Sequence, residues 1–331
     1  MVLVKSFLKC IVPLAFGFVI AVWATPRSID STAYPKKPVT LIVAYSPGGA
    51  VDNIARTVAQ HIEPYLGQRV IVQNKPGAGG EIGYRSLALS ASDGYTIGII
   101  TSPPILMLKK LRQGSETDVA DFEPLAGLQR DPVVLAVNAN SSYRSFDEFL
   151  AAARVSQKPL NVAGDGPNSN NQLQLVVTEN ILGVDFNFIP FNGSAPSITA
   201  LLGNQVAAAV PSASSAVTYV RRGDIRVLAV FSPDRYAYLP DAPTILEAAG
   251  VAVPDIGAAV RGVVVPRGMM PERKRVLADA LETLVTDDNF IAHAEQVQLP
   301  LYFMSAAGFR QYLAETDVLL DEYLHLMIDK P

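Results

Sequence analysis

The sequence predicts an α/β protein of two lobes, the second inserted into the first. Three observations predict it. From Pro38 onward, short continuously apolar runs alternate with amphipathic stretches, the pattern of buried strands joined by helices. Two polar, turn-rich stretches interrupt that alternation: Val137–Ser145 (VNANSSYRS) and Val230–Thr244, which holds three prolines in fifteen residues. No repeat or low-complexity tract competes with this layout. The stretches divide the chain into one lobe of residues 34–138 plus 240–331 and an inserted lobe of 139–235, with hinges near 138–140 and 231–240. Two crossings make a two-stranded hinge and a cleft, an arrangement suited to closure on a ligand.

Residues 1–24 have the layout of a secretory signal peptide, with a membrane anchor as the alternative reading. Lys5 and Lys9 form a basic region, Cys10–Ala24 is an uncharged apolar run too short to span a bilayer comfortably, and Val22-Trp23-Ala24 suits cleavage near Ala24. Cleavage removes both lysines, so the net charge of −4 becomes −6, and it removes the single Cys and the single Trp. The mature chain then has no disulfide, thiol chemistry or cysteine-ligated metal. Its mildly acidic balance gives no support for nucleic-acid binding.

The strand runs follow in order: Val39–Tyr45, Arg69–Gln73, Tyr95–Thr101, Val133–Asn138, Val206–Val210, Arg226–Phe231 and Arg261–Val265. They are mostly rich in β-branched residues, as strands of a largely parallel sheet covered on both faces are. Asp52–Leu66 reads as a helix, because Ile54, Val58, Ile62 and Leu66 recur every four residues as one stripe. Pro271–Leu284 and the tail from Ala306 to Ile328 read as two more helices.

Asn74–Ser86 (NKPGAGGEIGYRS) carries Gly77, Gly79, Gly80 and Gly83 and resembles a dinucleotide turn. The next strand of such a site ends in an acidic residue that binds ribose. Here it ends in Thr101-Ser102, and Asp93 lies at the wrong end. A nicotinamide or flavin site is therefore rejected, and no cofactor is expected. The first strand instead runs into Ser46-Pro47-Gly48-Gly49 before a helix starting near Asp52. Amides unshielded by any Cβ beside the positive end of a helix can hold a carboxylate without a dedicated arginine. If Asp52 is the N-cap, it takes one of those amides itself. A tight turn with no ligand is the equal alternative. Asn161–Leu175 and Ile189–Val206 place glycines, amides and hydroxyls before two further helices, as either solvated turns or the other half of a clamp.

His61, His293 and His325 fall in separate helical segments, with no metal spacing and no Gly-x-Ser-x-Gly elbow in the chain. Asp287-Asp288 and Asp321-Glu322 fall on polar helical faces, so no catalytic constellation emerges.

YPKKPVTLIVAYSPGGAVDNIAR, GQRVIVQNKPGAGGEIGYRSLALSASDGYTIGI, IPFNGSAPSITALLGNQV and LPDAPTILEAAG together resemble the solute receptors of tripartite tricarboxylate transporters, also called Bug proteins. The resemblance runs in order from Tyr34 to the C-terminus. It implies a type II periplasmic-binding-protein fold: two α/β lobes that capture a small organic anion (a mono-, di- or tricarboxylate) and hand it to membrane permease subunits. It implies a periplasmic monomer that is not an enzyme. The rival classes are a sensory subunit for a membrane kinase and a secreted hydrolase. The family pinches a ligand carboxylate, partly through water, between the first strand–helix loop and loops of the inserted lobe. Carried across, that points to Tyr45, Ser46, Pro47, Gly48 and Gly49 on one side. On the other it points to Gly164, Asp165, Gly166, Asn168 and Asn170, with Asn192, Gly193 and Ser194. The glycine turn at 77–83 then has a conformational role near the cleft wall.

The chain departs from the family pattern near this cleft. Tyr45-Ser46 adds two hydroxyls, the loop after Asp165-Gly166 is about two residues longer, and Gln172 stands where relatives often have histidine. Pro211-Ser212 replaces a common Asp-Asn pair. The result is a wall of hydroxyls from Tyr45, Ser46, Ser212, Thr101 and Ser102, suited to a ligand without an ammonium group beside its carboxylate.

Overall fold

The computed structural model describes residues 34–112 and 114–328, so the expected leader lies outside it. The strands are β1 (Val39–Val43), β2 (Val70–Asn74), β3 (Thr96–Ser102), β4 (Phe122–Asp131), β5 (Val134–Asn138), β6 (Leu160–Asp165), β7 (Phe186–Phe191), β8 (Ala208–Ala209), β9 (Ile225–Val230), β10 (Ala259–Pro266) and β11 (Leu301–Ser305). They form two sheets, ordered β11-β4-β10-β3-β1-β2 and β7-β6-β8-β5-β9. The helices are α1 (Ala50–His61), α2 (Glu63–Leu66), α3 (Glu81–Ala88), α4 (Pro104–Leu111), α5 (Phe146–Val155), α6 (Asn170–Leu182), α7 (Ser194–Leu202), α8 (Ala213–Arg221), α9 (Ile245–Ala249), α10 (Pro271–Leu284), α11 (Asp288–Gln296), α12 (Ala306–Tyr323) and α13 (His325–Ile328). The fold is the expected two-lobed α/β arrangement.

Each sheet is covered on both faces. In the first, Leu41, Val43, Ile99 and Val263 pack against Ile54, Val58, Leu277 and Phe290 of α1, α10 and α11. The alternate residues Ile42, Ile100 and Val264 face Tyr84, Leu106 and Phe309 of α3, α4 and α12, in a cluster that continues into Leu135, Val162 and Leu173 of the second lobe. The other face of the second sheet buries Ala136, Ala163, Ile198 and Val217 with α7 and α8.

The sheets are mixed rather than largely parallel. β1 pairs β2 and β3 in parallel, as β6 pairs β7 and β8, but β10 is antiparallel to β3 and β4, and β5 is antiparallel to β8 and β9. The two crossings cause this. β4 runs out of the first sheet toward the second, and β10 comes back, so the returning strand opposes its neighbours. The crossings also differ from the sequence expectation. The sequence places Val133–Asn138 in the first lobe, yet β5 pairs within the second sheet. The chain changes sheets between Asp131 and Val134 and returns between Ala249 and Ala259. A continuous apolar run looks the same in either sheet, so its sequence carries no sign of which one it joins.

The helix expected over Asp52–Leu66 is two helices. Ile54, Val58, Ile62 and Leu66 are all buried, but Pro64 stands in the first turn of α2. Proline donates no amide and clashes with the preceding turn, so α1 stops and α2 starts afresh. The expected tail helix likewise divides into α12 and α13 around Leu324. β4, β6, β7 and β11 are strands that no continuous apolar run in the sequence marks. β4 carries Pro124, Gly127, Arg130 and Asp131 and β6 carries Asn161, Gly164 and Asp165, residues that depress strand propensity and prevail here only through pairing.

Candidate functional site

β1 delivers Tyr45-Ser46-Pro47-Gly48 to the start of α1, where Gly49 is the N-cap with extended backbone (φ −82°, ψ 171°). Ser46 to Gly49 are exposed. Asp52, considered above as the cap, is inside the first turn and 1% exposed. Its Oδ2 accepts the Gly48 amide at 2.8 Å and Arg56 Nε at 2.8 Å, and its Oδ1 accepts Asn74 Nδ2 at 2.8 Å. Burial opposes its ionisation, but these donors outweigh burial and hold the carboxyl below its ordinary range. The Asp52 clasp consumes the Gly48 amide and fixes the loop. The amides of Gly49, Ala50 and Val51, which no intrahelical carbonyl reaches, remain at the positive end of α1.

Strand alternation separates Thr101 from Ser102. Thr101 follows Ile97 and Ile99 toward the α1 side, whereas Ser102 follows Ile100 toward α12 and is 0% exposed, near the Tyr312 hydroxyl. Period-two geometry sends adjacent side chains to opposite faces, so the two hydroxyls of the expected wall leave β3 on opposite sides of the sheet. Tyr45 accepts a hydrogen bond from Tyr84 at 3.1 Å, and Tyr84 accepts one from the Thr101 amide at 3.3 Å. Burial pushes both phenols up. The glycine turn serves this packing. A Cβ on Gly80 would stand 2.9 Å from Tyr84 and 3.3 Å from Tyr45, and one on Gly83 would stand 2.5 Å from Ala44 Cα.

In the second lobe, Asp165 ends β6 and receives the Ser194 hydroxyl at 3.0 and 2.9 Å on its two oxygens. Ser194 Oγ also accepts the Ser212 amide at 3.3 Å, and Ser212 Oγ meets Ser215 Oγ at 2.9 Å. The starts of α7 and α8 are therefore tied to the end of β6. Burial raises the Asp165 carboxyl to about 6; the Ser194 hydroxyl opposes the rise and the charge of Asp131 adds to it. Other expected residues are engaged internally. Gly164 leaves room for Phe188, which would lie 2.4 Å from its Cβ. Gly166 donates its amide to Phe191 O, and so does Gly193. The Asn168 amide donates to Gln172 Oε1, and Asn170 Nδ2 reaches Gly257 O at 2.6 Å, tying α6 to the segment that returns into β10. Asn192 is exposed.

The sequence reading missed the residues that connect the two halves. Asp131, at the end of β4 and 1% exposed, accepts the Ser214 amide at 3.0 Å and its hydroxyl at 2.6 Å, pinning the first turn of α8 to the first sheet. Burial raises its carboxyl, against the opposing pull of Arg261 and Ser214. Arg261 Nη1 lies 3.9 Å from Asp131 Oδ2 and donates to Gln129 Oε1 at 2.9 Å. Arg261 lies close enough to Tyr45 to influence its phenol, and Asp131 close enough to Asp165 to raise it. Arg261 and Asp131 are thus charges felt by Tyr45, ahead of the α1 loop, and by Asp165, at the end of β6. One signal was available: an arginine inside the apolar run AAVRGVVVP is a charge placed where charges are seldom buried without a partner.

His61 and His293, in different helices by sequence, meet at 2.8 Å (Nε2 to Nδ1). This contact is at the far end of α1, about 18 Å from Gly49 for a twelve-residue helix. Among the described residues there is no group of three or more His, Cys, Asp or Glu that could hold a metal. No described helix is long and apolar enough to cross a membrane.

The chain is similar to known proteins over most of its length. Residues 54–320 match the model of the tripartite tricarboxylate transporter family receptor. Protein BugT of Bordetella pertussis is 30% identical over 283 residues, 83% of this chain and 86% of that protein. A ligand-free TctC solute-binding protein from Polaromonas superposes with TM-score 0.77 at 30% identity, covering 88% of this chain and 99% of that one. An R. palustris protein solved with adipate shares the fold, with TM-score 0.76 at 24% identity over 89% of this chain and 98% of that one. The chain belongs to the tripartite tricarboxylate transporter receptor family.

Proposed function

We propose that this receptor captures a small organic carboxylate between its two lobes and presents it, chemically unchanged, to membrane permease subunits. The expected leader makes it a periplasmic protein, and it acts as a monomer. The observation that carries the reading is the convergence at the Asp131–Arg261 junction. Tyr45, which leads into the open first turn of α1, lies within the field of Arg261, and Asp131 pins the start of α8, which Ser212 and Ser194 tie to α7 and Asp165. Gly49 and its neighbouring amides take one carboxylate. Tyr45, Ser46 and Ser212 supply hydroxyls around it, and Asp165 with Ser194 sets the facing wall. The strands crossing at 131–134 and the segment 249–259 form the hinge. That a protein of the same fold is solved with adipate supports an organic acid as the cargo.

A thermal-shift screen of mature protein over mono-, di- and tricarboxylates, amino acids and neutral sugars tests this. A ligand at about 100 times its Kd adds about 2.7 kcal/mol, a shift of several degrees. The ligand must be recovered intact after incubation. Stabilisation by sugars and by no anion, or recovery of an altered product, defeats the reading.

A further inference from the structure

Arg261 sits on β10 between Thr101 of β3 and Gln129 of β4, its cross-strand neighbours. It is 8% exposed, and its Nε is buried with no hydrogen-bond partner. Its nearest carboxylate, Asp131, is 3.9 Å from Nη1, beyond hydrogen-bond reach. Both Asp131 oxygens are already occupied by Ser214. Gln129, which accepts from Nη1, is neutral. A guanidinium has five donors and keeps its proton in proteins, and burying it incompletely paired costs several kcal/mol. The buried Tyr236 hydroxyl lacks a partner, and the buried Thr101 hydroxyl is close enough to Tyr45 and Tyr84 to act on their phenols. Thr101 Oγ is beside it in the sheet, and the Tyr236 hydroxyl is near enough to feel the charges of both Asp131 and Arg261. Tyr45, which leads into the α1 loop, also lies within its field.

We propose that Arg261, with Thr101 and Tyr236, forms an anion subsite on the floor of the cleft that reads a second anionic group of the ligand. This rests on the receptor reading and adds a guanidinium to the loop amides expected to hold the first carboxylate. The first carboxylate stays with the open turn of α1, and the second completes the guanidinium that Asp131 leaves unsatisfied. A charge-assisted, forked contact with a carboxylate is the interaction an arginine forms best. A ligand with one carboxylate leaves Arg261 as it is now and gains nothing there.

The test is calorimetry on full-length mature protein with matched pairs: succinate and butyrate, glutarate and valerate, adipate and hexanoate. Wild type should bind at least one diacid about 30-fold or more tighter than its monoacid. Arg261→Gln should lose that preference, diacid affinity falling further than monoacid affinity by about the factor that separates the two in wild type. Arg261→Lys keeps the charge without the fork, should retain part of the preference, and serves if the glutamine variant does not fold. Equal affinity of wild type for the two members of every pair overturns the subsite and leaves the receptor reading intact. So does an equal loss for both acids in Arg261→Gln, which would make Arg261 a structural partner of Asp131. Wild type binding no carboxylate at all overturns the receptor reading itself.

Discussion

Asp165→Asn should make the ligand-free protein more stable at pH 7 and flatten its stability between pH 4 and pH 7. The Asp165 carboxyl is raised from 3.8 to about 6, chiefly by burial at the end of β6, with the neighbouring charge of Asp131 adding to the shift. A carboxyl whose pKa is higher folded than unfolded binds more protons in the native state. Its contribution is fully present below about 3.8 and is lost as pH rises through about 6. The gap of about two units corresponds to about 3 kcal/mol at full strength; partial exposure of the group reduces this to about 1–2 kcal/mol. Asparagine keeps an oxygen to accept the Ser194 hydroxyl and removes the charge beside Asp131. Calorimetric melts of wild type and variant at pH 4, 5, 6 and 7 isolate Asp165 and its coupling to Asp131, because shifted groups elsewhere cancel in the difference. The variant should melt a few degrees higher at pH 7 and no higher at pH 4. A lower melting temperature at pH 7 with an unchanged pH slope would refute the reasoning, since Asp165 would then be a net stabilising charge. Binding adds a second reading. An anionic ligand should bind Asp165→Asn as well as or better than wild type, and an ammonium-bearing ligand should lose its counter-ion. Because Pro211-Ser212 offers an ammonium no carboxylate, succinate should outbind aspartate in wild type, and tighter binding of aspartate would defeat that expectation.

Burial, and next the charge of His293, lowers the His61 pKa, with Asp287 opposing. That stability contribution is present above about 6.5 and is lost as pH falls below it, so His293→Gln should lose less stability than wild type between pH 7.5 and 5.5 in urea titrations. Parallel curves would dismiss the coupling. Gly49→Val should cost no more than about 1 kcal/mol of stability, the penalty of a poorer N-cap, because φ is −82° and the nearest atom to a new Cβ is Ser46 O at 3.6 Å; yet it should weaken carboxylate binding about tenfold or more by blocking the open amides of α1. Wild-type affinity would move the anion elsewhere. Ser194→Ala removes a donor from a partly buried carboxylate and should cost about 1.5–3 kcal/mol of stability at pH 7. An effect on affinity with none on stability would return its hydroxyl to the ligand.

What was legible in the sequence was local. The apolar runs identified seven stretches that enter sheets because continuous burial on both faces needs continuous apolarity. The four-residue stripe marked the buried face of α1, and Gly48-Gly49 before it marked an open helix start. Motif order along the chain revealed the family. The tertiary structure decided everything that depends on which strand lies beside which. Val133–Asn138 joined the second sheet because pairing partners, absent from its own sequence, were there. Strand alternation sent Ser102 away from Thr101. Sheet order β4-β10-β3 placed Gln129, Arg261 and Thr101 in one row and brought Arg261 to Asp131, 130 positions earlier in the chain. The Asp52 clasp, the Asp165–Ser194 tie and the His61–His293 contact likewise join residues from separate elements or separate roles. Secondary structure follows from the burial and periodicity of neighbouring residues, whereas the charges of the cleft meet through space, where only the packed sheets set their distances.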